Sequence, residues 1–304
     1  MYASRRKWEK VKDLVENTDV DINSINFART TALYHAALQG NTLMVEYLLS
    51  KGADINRVVG HEIGDSPLLS AVREGYVDTA KLLIEKGAAT DVQYNRFNLL
   101  DIAVLSNKPA MIDLILNSNF GIDEYDYIGD TPLIIAAKGN GCLASLKHLL
   151  EKGADYRKLK RISKSSLLHS AASQKDCGKS MEIILKHVEA KEGREGLRQY
   201  VNIPDPKFGI TPLHIACMDD NYYAVKLLLE HGAYVAKDKL GELPQYKISK
   251  GLSFDKIRSL FGQKFKKNLK KEYKLKVTRV EQILSQKYGL EKAGKIWENL
   301  EILY

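Results

Sequence analysis

Residues 211–234 read TPLHIACMDDNYYAVKLLLEHGAY, and this stretch decides how the rest of the chain is read. The Thr211 hydroxyl is suited to accept an orphan backbone N–H at the start of a helix. Pro212 follows in the first turn, where its missing N–H costs nothing. Leu213, Ile215 and Ala216 recur at helical spacing along a short first helix. A second helix carries Leu227 and Leu228 toward the core, and Gly232 ends it in a conformation that glycine tolerates.

The same pattern returns upstream. TALYHAALQGNTLMVEYLLSKGADIN begins at Thr31, SPLLSAVREGYVDTAKLLIEKGAAT at Ser66 and TPLIIAAKGNGCLASLKHLLEKGAD at Thr131. Weaker copies begin at Asn98 (NLLDIAVLSNKPAMIDLILNS) and Ser166 (SLLHSAASQKDCGKSMEIILKH). Successive starts are 35, 32, 33, 35 and 45 residues apart. A period near 33 with a T-P-L-H-x-A core resembles the ankyrin repeat. Gly40 and Gly75 stand just past first helices, and Gly52, Gly87 and Gly153 just past second ones. Each unit has too little core to stand alone, so its neighbours must supply the rest.

The resemblance implies an all-α fold: an ankyrin-repeat solenoid of helix-turn-helix units with short hairpin-like turns, plus a small helical C-terminal region. Full repeats are expected near 31–56, 66–90, 98–119, 131–155, 166–187 and 211–234, with partial caps at both ends of a solenoid spanning 1–250. At the N-terminal end, Trp8, Val11, Leu14 and Val15 form the packing face of a truncated repeat. At the other, DKLGELPQYKI from Asp238 reads as one more turn and a degraded first helix. The third copy uses Asn107 where glycine is usual, and Asn tolerates the left-handed region. The 45-residue spacing predicts an inserted loop near 188–200.

The period stops at Gly251, and residues 251–304 read as a basic helical cap. Net charge is +8, yet residues 247–279 carry twelve Lys and Arg against Asp255 and Glu272, so the remainder is slightly acidic. Phe254, Ile257, Leu260, Phe261, Phe265 and Leu269 make one helical face, and Lys256, Lys264, Lys266, Lys267, Lys270 and Lys271 fall mostly between them. The basic run reads either as the solvated face of a capping helix or as a patch for anionic lipid, nucleic acid or an acidic protein surface, which would make the chain an electrostatic adaptor with the repeats as spacer. Its aromatics stand at core spacing, which argues for packing and against stacking on nucleic acid.

Catalytic signatures are missing from the sequence. It contains no P-loop, GxGxxG, HExxH, GxSxG or kinase set, and no Cys/His metal spacing. No enzyme activity, cofactor or metal is therefore expected. The three cysteines, Cys142, Cys177 and Cys217, are unpatterned and fit free thiols in a reducing, cytoplasmic compartment. His214 lies three residues from Cys217, but the cysteine fills the small buried alanine position of the repeat, so a core thiol is the better reading. No apolar run is long enough to cross a membrane.

Ankyrin proteins bind partner proteins with their turn tips and the adjoining ends of the first helices. The resemblance accordingly implies a protein-interaction module, its partner held on the concave face. Counting back from each repeat start puts Phe27, Glu62, Tyr94, Phe97, Tyr125, Tyr127, Lys207 and Phe208 at the tips, joined by Lys160 and Ile162. Solvated turns have no need of aromatics, which supply interface hot spots. The other reading of each is that it folds back on a neighbouring turn. His35, His169 and His214 fall in or beside the helix-opening motif, where ankyrin histidines hold neighbouring turns together. Asn56 stands in a context resembling the asparagine-hydroxylation site of some ankyrin proteins, and reads otherwise as structural. Irregular repeats, a Lys- and Tyr-rich composition and the unassigned C-terminus are similar to ankyrin effectors that intracellular bacteria deliver into host cells, which would place the chain in host cytosol; a eukaryotic scaffold fits the same features.

Overall fold

A computed structural model describes residues 5–59, 64–92, 94, 95, 97–139, 141–174, 178–247, 253 and 255–262. Among them the regular structure is helical, and the only β pairing is two isolated bridges. After α1 (Arg5–Asn17) come six helix pairs. They are α2 (Ala32–Leu38) with α3 (Thr42–Ser50), α4 (Pro67–Glu74) with α5 (Val77–Glu85), and α6 (Leu99–Leu105) with α7 (Pro109–Leu116). Then follow α8 (Pro132–Lys138) with α9 (Leu143–Glu151), α10 (Leu167–Ala172) with α11 (Gly178–Tyr200), and α12 (Pro212–Met218) with α13 (Tyr222–Glu230). A single 3-10 turn, Pro244–Tyr246, stands where a seventh first helix would begin.

Each first helix starts where the cap predicts. The hydroxyls of Thr31, Ser66 and Thr131 accept the N–H of Tyr34, Leu69 and Ile134 at 3.2, 3.1 and 3.3 Å. The helices pack in two layers, with α2, α4, α6, α8, α10 and α12 stacked in one and α3, α5, α7, α9, α11 and α13 in the other. Between the layers runs one continuous core, from Trp8 through Leu48, Leu83, Ile112, Leu149 and Ile184 to Leu228 and Ile257. Stacking is what buries these side chains, because no single pair encloses its own.

The ends differ in detail from the sequence reading. Trp8 is buried and Val11 and Val15 are half-buried, but Leu14 is exposed, so the capping face of α1 is narrower than its apolar pattern predicts. The insertion near 188–200 is helix, not loop. It prolongs α11, which breaks only at Gly193 (φ 70°). Leu197, Tyr200 and Val201 carry the core across this extension, and the Tyr200 hydroxyl donates to the Tyr156 carbonyl at 2.8 Å. Arg157 and the Tyr156 hydroxyl both hold Glu192 just before the break, and these bonds, Arg157 first, keep its carboxyl below the usual carboxylate range. Of the C-terminal region, a helix over 255–262 is described. Ile257 is fully buried, and the Ser253 N–H donates to Asp220 of the sixth repeat at 3.1 Å.

Candidate partner-binding edge

The turns line one edge of the stack, and each is built by its own side chains. Asn26, Asp126, Asp205 and Asp238 open four of them. Each accepts the backbone N–H near the far end of its turn, from Thr30, Asp130, Ile210 and Glu242, at 2.7 to 3.0 Å. The arms leading to the turns are clasped in the same way. Asn23 accepts from Asp54, Asn56 from Ala89, Asp123 from Asp155 and Asn202 from Tyr234, all at 2.7 to 2.9 Å. Asn56 thus has a structural task.

Neighbouring turns are also bonded to each other. The Arg161 N–H donates to Gly129 O, and the Lys239 N–H to Phe208 O, both at 2.8 Å. Gly129 has φ 80°, and a Cβ added there would stand 2.5 Å from that of Arg161, so the approach of these two turns requires glycine. The histidines complete the joints. In His169, Nδ1 faces the Ser166 N–H at 3.2 Å, which leaves Nε2–H to donate to Ile210 O of the next turn at 2.9 Å. His214 repeats this with Thr211 at 3.1 Å and Glu242 O at 3.3 Å. Burial holds both histidines below their ordinary pKa. His35 stands one position later in its helix and bonds Thr30 within its own turn at 2.8 Å.

The first joints use other chemistry. At the histidine position Tyr34 donates its hydroxyl to Asp65 at 3.1 Å, and Asp65 pairs with Arg73 at 2.7 Å. Although burial opposes its charge, Asp65 holds Arg73 above its ordinary pKa. In the third repeat the position is Asp101, fully buried, whose Oδ2 accepts the Asn98 N–H at 2.9 Å while Oδ1 has no partner. Burial, reinforced by Asp126, Asp130 and Glu124, pushes its pKa up to about 7.

The sequence-predicted tip residues divide into two groups. Phe27 and Tyr127 are 106% and 83% exposed, and Phe208 is exposed with Lys207 above its ring at 4.8 Å. Tyr94 and Phe97 close a tight turn on each other's backbone, at 3.0 Å both ways, and pack against the core, with Arg73 5.5 Å from the Tyr94 ring. Tyr125 folds back, its hydroxyl donating to Leu159 O at 3.0 Å under the Lys158 ammonium. Ile162 is exposed, whereas Lys160 is half-buried and paired with Asp130. Glu62, Lys264, Lys266, Lys267, Lys270 and Lys271 lie outside the described residues, and Lys256 is exposed. Sequence reasoning missed Val58 and Leu240, also exposed at the second and seventh turns. The result is a row of exposed apolar side chains along the turns, Phe27 (with Ile25 beside it), Val58, Tyr127, Ile162, Phe208 and Leu240, interrupted at the third.

Nucleophilic or metal chemistry finds little here. Cys217 is fully buried and its thiol pKa is pushed up to about 12 by that burial, and burial also raises Cys142. Among the described residues no three His, Cys, Asp or Glu side chains are grouped to hold a metal, and no helix is long and apolar enough to cross a membrane.

Comparison with known proteins agrees with this architecture. The human transient receptor potential cation channel subfamily A member 1 is 29% identical over 237 residues, covering 76% of this chain and 20% of the channel. The Caenorhabditis elegans ankyrin repeat and KH domain-containing protein mask-1 is 34% identical over 246 residues, 72% of this chain and 9% of that protein. The chain thus spans a fifth or less of these two relatives. The crystal structure of the human ASB11 ankyrin repeat domain superposes with a TM-score of 0.58 at 21% identity, covering 76% of this chain and 97% of that one. Ankyrin repeats are in general protein–protein interaction modules. The family model for ankyrin repeats (3 copies) matches residues 1–96 and 133–239, and the chain belongs to the ankyrin-repeat family.

Proposed function

We propose that this chain is a non-enzymatic interaction module that holds a partner protein on its concave face, through the turn edge and the adjoining first helices. The row of exposed apolar side chains on hydrogen-bonded turns carries this reading. An apolar group already fixed in place loses little freedom when a partner covers it, so its burial goes largely into affinity. Phe27, Tyr127 and Phe208 are the side chains from which hot spots are built; Tyr94, Phe97 and Tyr125 act beneath them, setting the shape of the turns. The helix over 255–262 acts as a cap on the 1–250 solenoid, and the burial of Ile257 supports this over an electrostatic adaptor working through the basic run. Buried free thiols at Cys142 and Cys217 fit action in a reducing cytoplasm, whether as a scaffold or as an effector in host cytosol.

The test is an affinity pulldown from cell lysate at low and high salt. It compares wild type, a Phe27→Ala/Tyr127→Ala/Phe208→Ala variant and a chain ending at Lys250. A discrete partner lost with the turn variant and kept at high salt supports the module. Recovery that ignores the turns and vanishes with the tail or with salt overturns it in favour of the adaptor.

A further inference from the structure

The turn edge changes electrical character along the stack. Around the first four turns the exposed ionised side chains are of both signs, as in Asp21, Arg29, Asp54, Arg57, Asp91 and Glu124. At the last three turns cations predominate; the exposed acids there are Asp155 and Glu242, and Glu242 is paired with Lys247. Asp205 and Asp238 are buried, their carboxylates taken by N–H groups of their own turns and, for the second oxygen of Asp238, by Lys247 at 2.9 Å. Arg161, Lys164, Lys207 and Lys239 are exposed and form no ion pair among the described residues. Between these cations stand Ile162, Phe208 and Leu240, one per turn.

We propose that the fifth, sixth and seventh turns form a docking strip for an extended acidic peptide segment with an apolar side chain at every third position. This deepens the interaction-module reading and rests on it. Neighbouring turns are joined by His169 to Ile210 O and by Lys239 N–H to Phe208 O, so their spacing is fixed near the packing distance of adjacent helices, roughly 10 Å. A polyproline-type segment repeats every three residues and rises about 3.1 Å per residue. Its same-face side chains are therefore roughly 9 Å apart, which matches one apolar group to each turn. Acidic residues between them meet the cations. The strip is a single file with one aromatic ring, already covered by Lys207, which favours a peptide over stacked bases or a membrane surface.

The experiment uses the full chain and fluorescently labelled synthetic peptides, read by anisotropy. One peptide is five repeats of Leu-Glu-Pro, the second replaces every Glu with Lys, and the third has the first one's composition with its leucines clustered. Two variants, Arg161→Glu/Lys164→Glu/Lys207→Glu/Lys239→Glu and Ile162→Ala/Phe208→Ala/Leu240→Ala, are checked for unchanged thermal unfolding. The expected result is at least tenfold tighter binding of the first peptide than of either other, lost at least tenfold in both variants and kept in Phe27→Ala/Tyr127→Ala. Equal binding of the clustered peptide, or binding indifferent to both variants, overturns the strip. So does displacement of the peptide by phosphatidylserine vesicles or a single-stranded oligonucleotide at equal charge. A lysate partner retained by both strip variants but lost with Phe27→Ala/Tyr127→Ala overturns the strip while leaving the module standing, whereas a partner indifferent to every turn variant removes both.

Discussion

The fourth position of the repeat motif carries opposite chemistry in the fifth and sixth repeats and in the first and third. In the first, fifth and sixth repeats the side chain at the fourth position of the motif bonds the next turn. His169 and His214 do so as buried neutral rings donating to a carbonyl. Tyr34 works through an ionised pair, Asp65 and Arg73, while Asp101 is a carboxyl sealed from water with one oxygen unpartnered. The repeat motif thus specifies a place for an inter-turn contact, not the group that fills it. Because the groups titrate differently, the third repeat and the fifth and sixth should answer acid in opposite directions.

The sign follows from which state binds more protons. The Asp101 pKa is raised from 3.8 to about 7, so between those values the folded chain holds a proton that the unfolded chain has lost. Stability from this group is full below about pH 4 and is lost as pH rises through 7, a change on the order of 4 kcal/mol. For His169 and His214, lowered by burial, the stability is present above pH 6.5 and is lost as pH falls through their folded values. His35, half-buried in the first repeat, follows the same rule. The largest expected effect is therefore in Asp101→Asn, whose denaturant-derived stability should lack the decline that wild type shows between pH 4 and 7. Hydrogen-exchange protection should fall at the fifth and sixth repeats and rise at the third on moving from pH 7.5 to 5. A parallel response of all repeats would erase the comparison.

A sharper contrast sets two joints side by side at neutral pH. His169→Ala leaves the Ser166 N–H and the Ile210 carbonyl short of partners in a buried place, and should cost about 3 kcal/mol. Arg73→Ala removes the counter-charge of the buried Asp65, but Arg73 is itself partly exposed and Tyr34 still donates to the carboxylate, so the cost should be smaller, about 2 kcal/mol. Urea unfolding of the two variants decides it. Equal costs would mean that the ionised joint is as sheltered as the neutral one.

Much of this architecture was legible because caps, helix-ending glycines and apolar spacing are local. Thr31, Ser66 and Thr131 cap where their sequence position says they should. Asn107 takes φ 54° in the glycine's place, and Lys164 shows that even lysine does so at one turn. The repeat spacing signals only that residues are inserted near 188–200, whereas Leu197, Tyr200 and Val201 carry the helical spacing of a core face. The fates of the turn aromatics were not legible at all. Tyr125 and Tyr127 are two residues apart, yet one bonds the next arm and the other points into water. That choice is made by the neighbouring repeat, which a local reading does not see.

Tyr200 offers a smaller test of the C-terminal half. Its ring is wholly buried, and burial raises its pKa. Tyr200→Phe keeps the packing and removes only the hydroxyl bonded to Tyr156 O, so a loss of about 1 kcal/mol in urea is expected. A loss several times larger would mean that the helical extension depends on this bond rather than on the apolar contacts of Leu197 and Val201.

The smallest effect separates exposed turn residues from sheltered ones. Phe27, Tyr127 and Leu240 bury little in the free chain, so Phe27→Ser, Tyr127→Ser and Leu240→Ser should each change stability by less than about 0.5 kcal/mol. Phe97 packs against the core, and Phe97→Ser should cost several times that amount. The measurement is denaturant unfolding of the four variants. If the three exposed residues proved as costly as Phe97, they would be held against the chain's own surface in solution. They would then be unavailable to a partner, and the row along the turn edge would be part of the fold.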